Sequence, residues 1–321
     1  MKKFLKPHTA YTEMRDAFFE ELFQIASHDH DVILLHADQG AYAFQKFYSS
    51  LPKQIINVGV AEQNMISVAA GLALSGKKVF VHAISTFLTL RCYEQIKVDL
   101  SIMNLPVIIA GIGPGFTYGA DGPTHHSNQD IAIMRAIPHM RILNATDFFN
   151  LAVFPHFAYS KPQLTYIRFE KGNFPDLYSS RMDSIPDGLV MLKPGKKSCL
   201  ITTGTITHKA IDIANYLKDK RGLDMAVIDI YQLKPLNEKL LKKLIKPFEV
   251  VFTLEEHLSY GGLGTIVADF LVDHSIKIDF LRIGLPDGHC FIYGDRNYMH
   301  KHIGIASNHV IRKIDRFLKS R

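Results

Sequence analysis

The chain has 321 residues, 47% hydrophobic and 21% charged, with a formal net charge of +6, the balance of a soluble globular protein long enough for two buried cores. The densest basic cluster, Lys234, Lys239, Lys242, Lys243 and Lys246, reads as the solvated face of a short helix; it lacks the aromatic-interleaved stripe that nucleic-acid binding would need. Cys92, Cys199 and Cys290 stand far apart with no CxxC spacing, which argues against a disulfide or zinc framework and for a reducing compartment.

The opening MKKFLKPHTAYTEMRD has no apolar stretch behind its lysines, so it does not read as a secretory signal. No apolar run approaches the ~20 residues that span a bilayer. These features predict a cytoplasmic protein with no membrane or nucleic-acid partner. Residues 12–27 repeat apolar positions at helical spacing, with Thr12 as N-cap, and DVILLHAD (31–38) reads as a short buried strand. A helix follows over 62–75, a strand over 77–84, a helix over 87–103 and a strand over 105–112, which opens into the glycine-rich GIGPGFTYGADGPTHH. Residues 171–197 change character and predict a linker, dividing the chain into domains 1–175 and 197–321 joined by 176–196. Beyond it, SCLITTGT, GLDMAVIDI and FEVVFTLEE read as strands. KAIDIANYLKDK, NEKLLKKLIK and a segment from 263 read as helices. Alternation of this kind predicts two doubly wound α/β domains with largely parallel sheets.

Ligands of open α/β sheets bind at the carboxyl ends of strands. In the first block that edge carries Asp38, Glu62 and a loop ending in Asp121, His125 and His126. Each has a plain structural reading. Asp38 starts a turn or caps a helix, and Glu62 in a first helical turn gains ~0.3–1 kcal/mol from the macrodipole. The two histidines fit an ordinary surface loop. The loop lacks the GxGxxG dinucleotide fingerprint, and neither a P-loop GxxxxGK[ST] nor a hydrolase GxSxG occurs anywhere in the chain.

Taken in order, NVGVAEQNMISVAAGLALSG, STFLTLRCYEQIKVDL and NLPVIIAGIGPGFTYGADGPTHHSNQDIAIMRAIPHMRIL resemble the pyrimidine-binding domain of the transketolase family. LEEHLSYGGLGTIVADFL and IGLPD are similar to that family's carboxy-terminal domain, so the resemblance covers nearly the whole chain. It implies a thiamine diphosphate enzyme that transfers a two-carbon ketol or acyl unit to a sugar-type acceptor. Glu62 would hydrogen-bond N1′ of the aminopyrimidine and so favour loss of the C2 proton, a task suited to a poorly solvated carboxyl. The resemblance puts Phe87, Leu90 and Tyr93, on one helix face, around the aminopyrimidine, and counts Asp38 among the cofactor-binding residues. Asp121, His125 and His126 would face the substrate, with His125 moving protons. Gln63 and Arg91 are candidates to orient their neighbours.

Departures from the family pattern are informative. Gly113 stands where transketolases carry a histidine, and Pro114 where the deoxyxylulose-phosphate synthases carry an arginine. Tyr42 replaces a phosphate-binding serine. Lys171 replaces an arginine, keeping its charge without the bidentate fork. These changes point to a substrate outside the central-pathway sugars, such as a nucleotide-linked or modified sugar. No GDG motif occurs, so the Mg²⁺ and diphosphate would be held by a separate amino-terminal subunit, in a heterotetramer. The alternatives are a 2-oxo-acid dehydrogenase E1 β-type subunit, a deoxyxylulose-phosphate-synthase-like carboligase subunit, and a regulatory or scaffold subunit. Glu255, Glu256 and His257 read as structural or as a subunit contact.

Overall fold

The computed structural model describes residues 13–178 and 187–321; Thr12 lies outside them, as does part of the expected linker. The first block runs α1 (Met14–His28), β1 (Val32–His36), α2 (Phe44–Ser50), β2 (Ile55–Asn57), α3 (Glu62–Leu74) and β3 (Lys78–Ile84). Two π-helical stretches, π1 (Phe87–Arg91) and π2 (Ile96–Ile102), follow, with the short α4 (Tyr93–Gln95) between them. The block closes with β4 (Ile108–Ile112), α5 (Asp130–Arg135), β5 (Arg141–Asn144), α6 (Phe148–Ser160) and β6 (Thr165–Phe169). The second block runs β7 (Leu189–Lys193), β8 (Ser198–Thr202), α7 (Ile206–Arg221), β9 (Met225–Ile230), β10 (Gln232–Lys234) and α8 (Glu238–Ile245). It ends with β11 (Val250–Leu258), α9 (Leu263–Asp273), β12 (Asp279–Leu285), α10 (Arg296–Ile303) and α11 (Ser307–Lys319).

Two sheets result, ordered β10-β5-β6-β4-β3-β1-β2 and β12-β11-β8-β9-β7. Only β10 and β7 run antiparallel to their neighbours, so the expected pair of largely parallel α/β units is what forms. The central strands are continuous apolar runs because helices cover both faces: every residue of β1 (VILLH) and β4 (IIAGI) is buried. Small residues set the spacing of α3, whose buried Ala69 and Ala70 let it lie close on the sheet. On the opposite face Phe18 stacks on Phe169 with ring centroids 5.2 Å apart.

The structure corrects three expectations. Within the segment expected as linker, Leu189–Lys193 is a strand, pairing with β9 at the edge of the second sheet. The expected second domain sends β10 back to the first sheet, where Gln232 pairs with Leu143. The expected helix over 87–103 is largely π-helical, which lowers the angle between successive residues. Phe87, Leu90 and Tyr93 therefore do not share a face: Leu88, Cys92, Ile96 and Leu100 form the buried stripe, and Leu90 is 52% exposed.

Polar contacts join the blocks. Asn144 Nδ2 donates to Thr203 Oγ1 at 3.0 Å, and the Thr146 and Tyr178 hydroxyls donate to Asp229 Oδ2 at 2.5 and 2.6 Å. Burial pushes the Asp229 carboxyl up to about 7. Among the described residues no helix is long and apolar enough to cross a membrane.

Candidate functional site

The site assembles along the carboxyl edge of the first sheet, where β1, β3, β4 and β6 release their loops side by side. Two residues beyond the end of β1 stands Asp38, exposed and in a left-handed conformation (φ +54°). Its backbone N–H donates to Asn57 Oδ1 and its carboxylate accepts from Asn57 Nδ2, both at 3.1 Å. The same Asn57 oxygen accepts from Gly59 N at 2.9 Å. Asp38 thus braces the turn leading into α3 through Asn57, whereas the hydrogen-bond partner of Glu62 is Arg91.

Glu62 is the first residue of α3, where its charge is favourable with the helix dipole, and its side chain is only 4% exposed. A carboxylate in such a setting needs a partner. Arg91 supplies it, donating from Nη1 to Glu62 Oε2 at 2.7 Å. Arg91 also lies over the Phe87 ring, 4.3 Å from its centroid. Phe87 in turn meets the His125 ring edge-on at 5.1 Å. Glu62, Arg91, Phe87 and His125 therefore form one continuous layer of side chains.

The β4 loop closes this layer. His125 is half-buried, with Thr124 Oγ1 3.1 Å from its Nδ1, while Asp121 is exposed and its N–H bonds to Tyr118 O at 3.0 Å. His126 does not join them: it is 4% exposed and packs edge-on against Phe116 at 4.9 Å, and burial lowers its basicity. Adjacent residues in this turn face opposite ways, which corrects the expectation that both histidines face a substrate. Leu90 is too exposed to wall a pocket within this chain, and Tyr93 packs instead against the core around Leu88 and Cys92. Lys171 is exposed and follows the buried Glu170.

Two residues shape the loop, one that sequence reasoning missed and one, Glu256, that it read as structural or as a subunit contact. The first is Tyr118, which packs so close to Gly113 (φ +81°) that a Cβ there would sit 2.1 Å from its ring. The ring fills the space a side chain at 113 would need. Burial raises the Tyr118 phenol above its ordinary value, so it remains a donor. The signal was present in sequence as an aromatic residue set among glycines just downstream of Gly113.

The second is Glu256, from β11. Its Oε1 accepts from Phe116 N at 2.6 Å, and a Cβ at Gly115 would approach that oxygen to 2.2 Å. Arg296 Nε and His300 Nε2 hold the other oxygen at 2.8 and 2.7 Å, and Arg296 also pairs with Glu170. These partners hold the Glu256 carboxyl well below the usual carboxylate range despite its burial. The neighbouring Glu255 caps α9, accepting from Leu263 N at 2.6 Å and Gly264 N at 2.8 Å. A Cβ at Gly262 would fall 2.1 Å from Glu255 Oε2, and one at Gly261 (φ +73°) would fall 2.5 Å from Ala132 Cβ, which explains the paired glycines after EEH. Both carboxylates serve contacts within this chain, in keeping with the structural reading of this motif. Among the described residues no group of three His, Cys, Asp or Glu side chains gathers in a way that could hold a metal ion.

A buried carboxylate, an aromatic ring and a histidine loop thus gather at the carboxyl edge of a parallel sheet, the edge at which open α/β proteins bind their ligands. Comparison with known proteins narrows the class. The pyrimidine-binding domain of transketolase matches residues 10–176 and the transketolase C-terminal domain matches residues 188–310. A subunit of the apulose-4-phosphate transketolase of Phocaeicola vulgatus is 31% identical over 307 residues, covering 95% of this chain and 97% of that one. The 1-deoxy-D-xylulose-5-phosphate synthase of Blochmanniella floridana is 32% identical over 320 residues, and there this chain spans 50% of the relative's length. A solved split-gene transketolase, described as an inactive beta4 tetramer, superposes with a TM-score of 0.85 at 27% identity, covering 96% of this chain and 99% of that one. The chain belongs to the transketolase family of thiamine-dependent transferases and carries its pyrimidine-binding and C-terminal domains.

Proposed function

We propose that this chain is the carboxy-terminal subunit of a split transketolase, active with a separate subunit that carries the GDG motif and holds the diphosphate and Mg²⁺ of thiamine diphosphate. Relatives named as one subunit of an apulose-4-phosphate transketolase, and the likeness to a split-gene transketolase described as an inactive beta4 tetramer, support a partner chain; a two-plus-two heterotetramer fits them. Val60 and Leu90, 75% and 52% exposed beside Glu62 and Arg91, are apolar surface of the kind a partner covers. Unpaired cysteines fit a cytoplasmic location.

The observation that carries the reading is the buried carboxylate of Glu62 in the first turn of α3, adjoining the Phe87–His125 layer. These residues fit an aminopyrimidine: Glu62 offers an oxygen to N1′, and Phe87 offers an aromatic wall. When bound, the cofactor supplies the carbon nucleophile and the electron sink. Glu62 shares a proton at N1′. His125 exchanges protons with the substrate, Asp121 orients its hydroxyl groups, and Phe87 excludes water.

The name of the apulose-4-phosphate transketolase relatives includes a phosphorylated sugar, which favours a sugar phosphate over a nucleotide-linked acceptor. Lys171, exposed two residues beyond β6, is a cation suited to such a phosphate. A second reading, carboligation with a 2-oxo acid donor, draws on the synthase relatives. Reconstituting the chain with its partner and assaying apulose 4-phosphate, xylulose 5-phosphate and pyruvate separates the two. Replacing Glu62 with Gln is expected to lower turnover by about 100-fold or more. Turnover unchanged in that variant would sink the catalytic reading and leave a scaffold.

A further inference from the structure

Glu62 is buried in a helix first turn, yet only one of its two carboxylate oxygens is committed. Oε2 accepts from Arg91 Nη1 at 2.7 Å, while Oε1 accepts no hydrogen bond from the described residues. The guanidinium that holds Oε2 is itself fixed from a second direction, lying 4.3 Å over the Phe87 ring. Both contacts originate in π1, whose wider turn sets Phe87 and Arg91 on neighbouring positions of the same surface. Glu62 has no other ion-pair partner among the described residues. Arg91 is 44% exposed, so its packing role is small; its fixed contacts are the carboxylate and the ring.

We propose that Arg91 is a positioning residue: it pins Glu62 by Oε2 and presents Oε1 to the aminopyrimidine. The proposal rests on the reading of Glu62 given above. Arginine suits the task because its planar fork donates in the carboxylate plane while its face stacks on an aromatic ring. A lysine would keep the charge and lose the fixed orientation. Loss of Arg91 would leave the buried carboxylate without its counter-charge and free to rotate about its terminal torsion, which is broad in any case.

The test uses the chain reconstituted with its partner, thiamine diphosphate and Mg²⁺, and needs no knowledge of the sugar substrate. Two quantities are measured for Arg91→Met, Arg91→Lys and Glu62→Gln: cofactor affinity by calorimetry, and exchange of the cofactor C2 proton for deuterium by NMR. Arg91→Met is expected to slow exchange at least about tenfold with affinity within about threefold of the parent. Arg91→Lys should recover an intermediate rate. Circular dichroism confirms that each variant is folded. Parent-like exchange in Arg91→Met overturns the proposal. Tighter cofactor binding in that variant also overturns it, because Arg91 would then be competing with the aminopyrimidine. If Glu62→Gln itself exchanges normally, the reading of Glu62 fails first, and the two failures are told apart.

Discussion

Gly113 shows how one position can reset a loop. Its φ of +81° and the 2.1 Å approach of the Tyr118 ring exclude any side chain, so the histidine that transketolases place there has no room. Replacing Gly113 with Ala is expected to cost about 1–3 kcal/mol from backbone strain and the clash together. Tyr118→Ala should recover the clash portion when the two changes are combined. Urea unfolding of the four forms measures the coupling, and strict additivity would show that the ring does not fill that space. Burial holds the hydroxyl of Tyr118 protonated. The glycine itself was legible in sequence as a departure. Its reason was not, because a missing side chain says nothing about which neighbour has taken the volume.

The β4 loop owes its shape to β11 as much as to itself. Phe116 N bonds to a carboxylate 140 positions away, a contact no local pattern reveals. EEHxxYGGLG was therefore readable as a motif, and Glu255 capping α9 accounts for Gly262, but the contacts of Glu256 emerged only from the fold. The Glu256 carboxyl is held below its ordinary value of 4.5 by Arg296 and His300. Its ionised form thus contributes stability that is fully present above that value and lost as pH falls below it. Glu255 has the opposite sign: burial lifts it to about 7, so ionising it weakens the fold as pH rises from 4.5 towards 7. Glu256→Gln is expected to cost about 3–5 kcal/mol at neutral pH and to flatten the acid side of the stability curve. A variant whose acid limb matches the parent would mean that other carboxylates set it. The π-helical stretch was hidden for a different reason. Its apolar residues recur every four positions, as in an α-helix, and only the hydrogen bonding moves the exposed residues off one face.

Alternating strands and helices made both α/β units legible, because strands buried on both faces read as apolar runs. The join between them was not. β10 is three residues long, polar at both ends and antiparallel, so it carries no periodic signal. Yet it covers the edge of β5, and Lys234 Nζ donates to Arg135 O and Ile137 O at 2.7 and 2.6 Å. The two units are thereby expected to unfold together. Scanning calorimetry of the full chain should give one transition, and a fragment ending near residue 178 should be less stable and prone to edge-to-edge association. Two well-separated transitions, or a fragment as stable as the parent, would show that β10 is dispensable.

The return of β10 also bears on how such proteins can be cut and recombined. A break anywhere between β6 and β10 strips an edge strand from one sheet and separates Phe116 from its carboxylate. An exchange of carboxy-terminal domains between family members must import a matching edge strand and a matching acid in the same event. A break ahead of α1 disturbs neither. Division of labour between two genes is consequently easiest on the amino-terminal side of this pair of domains, which travel as a single inheritable piece.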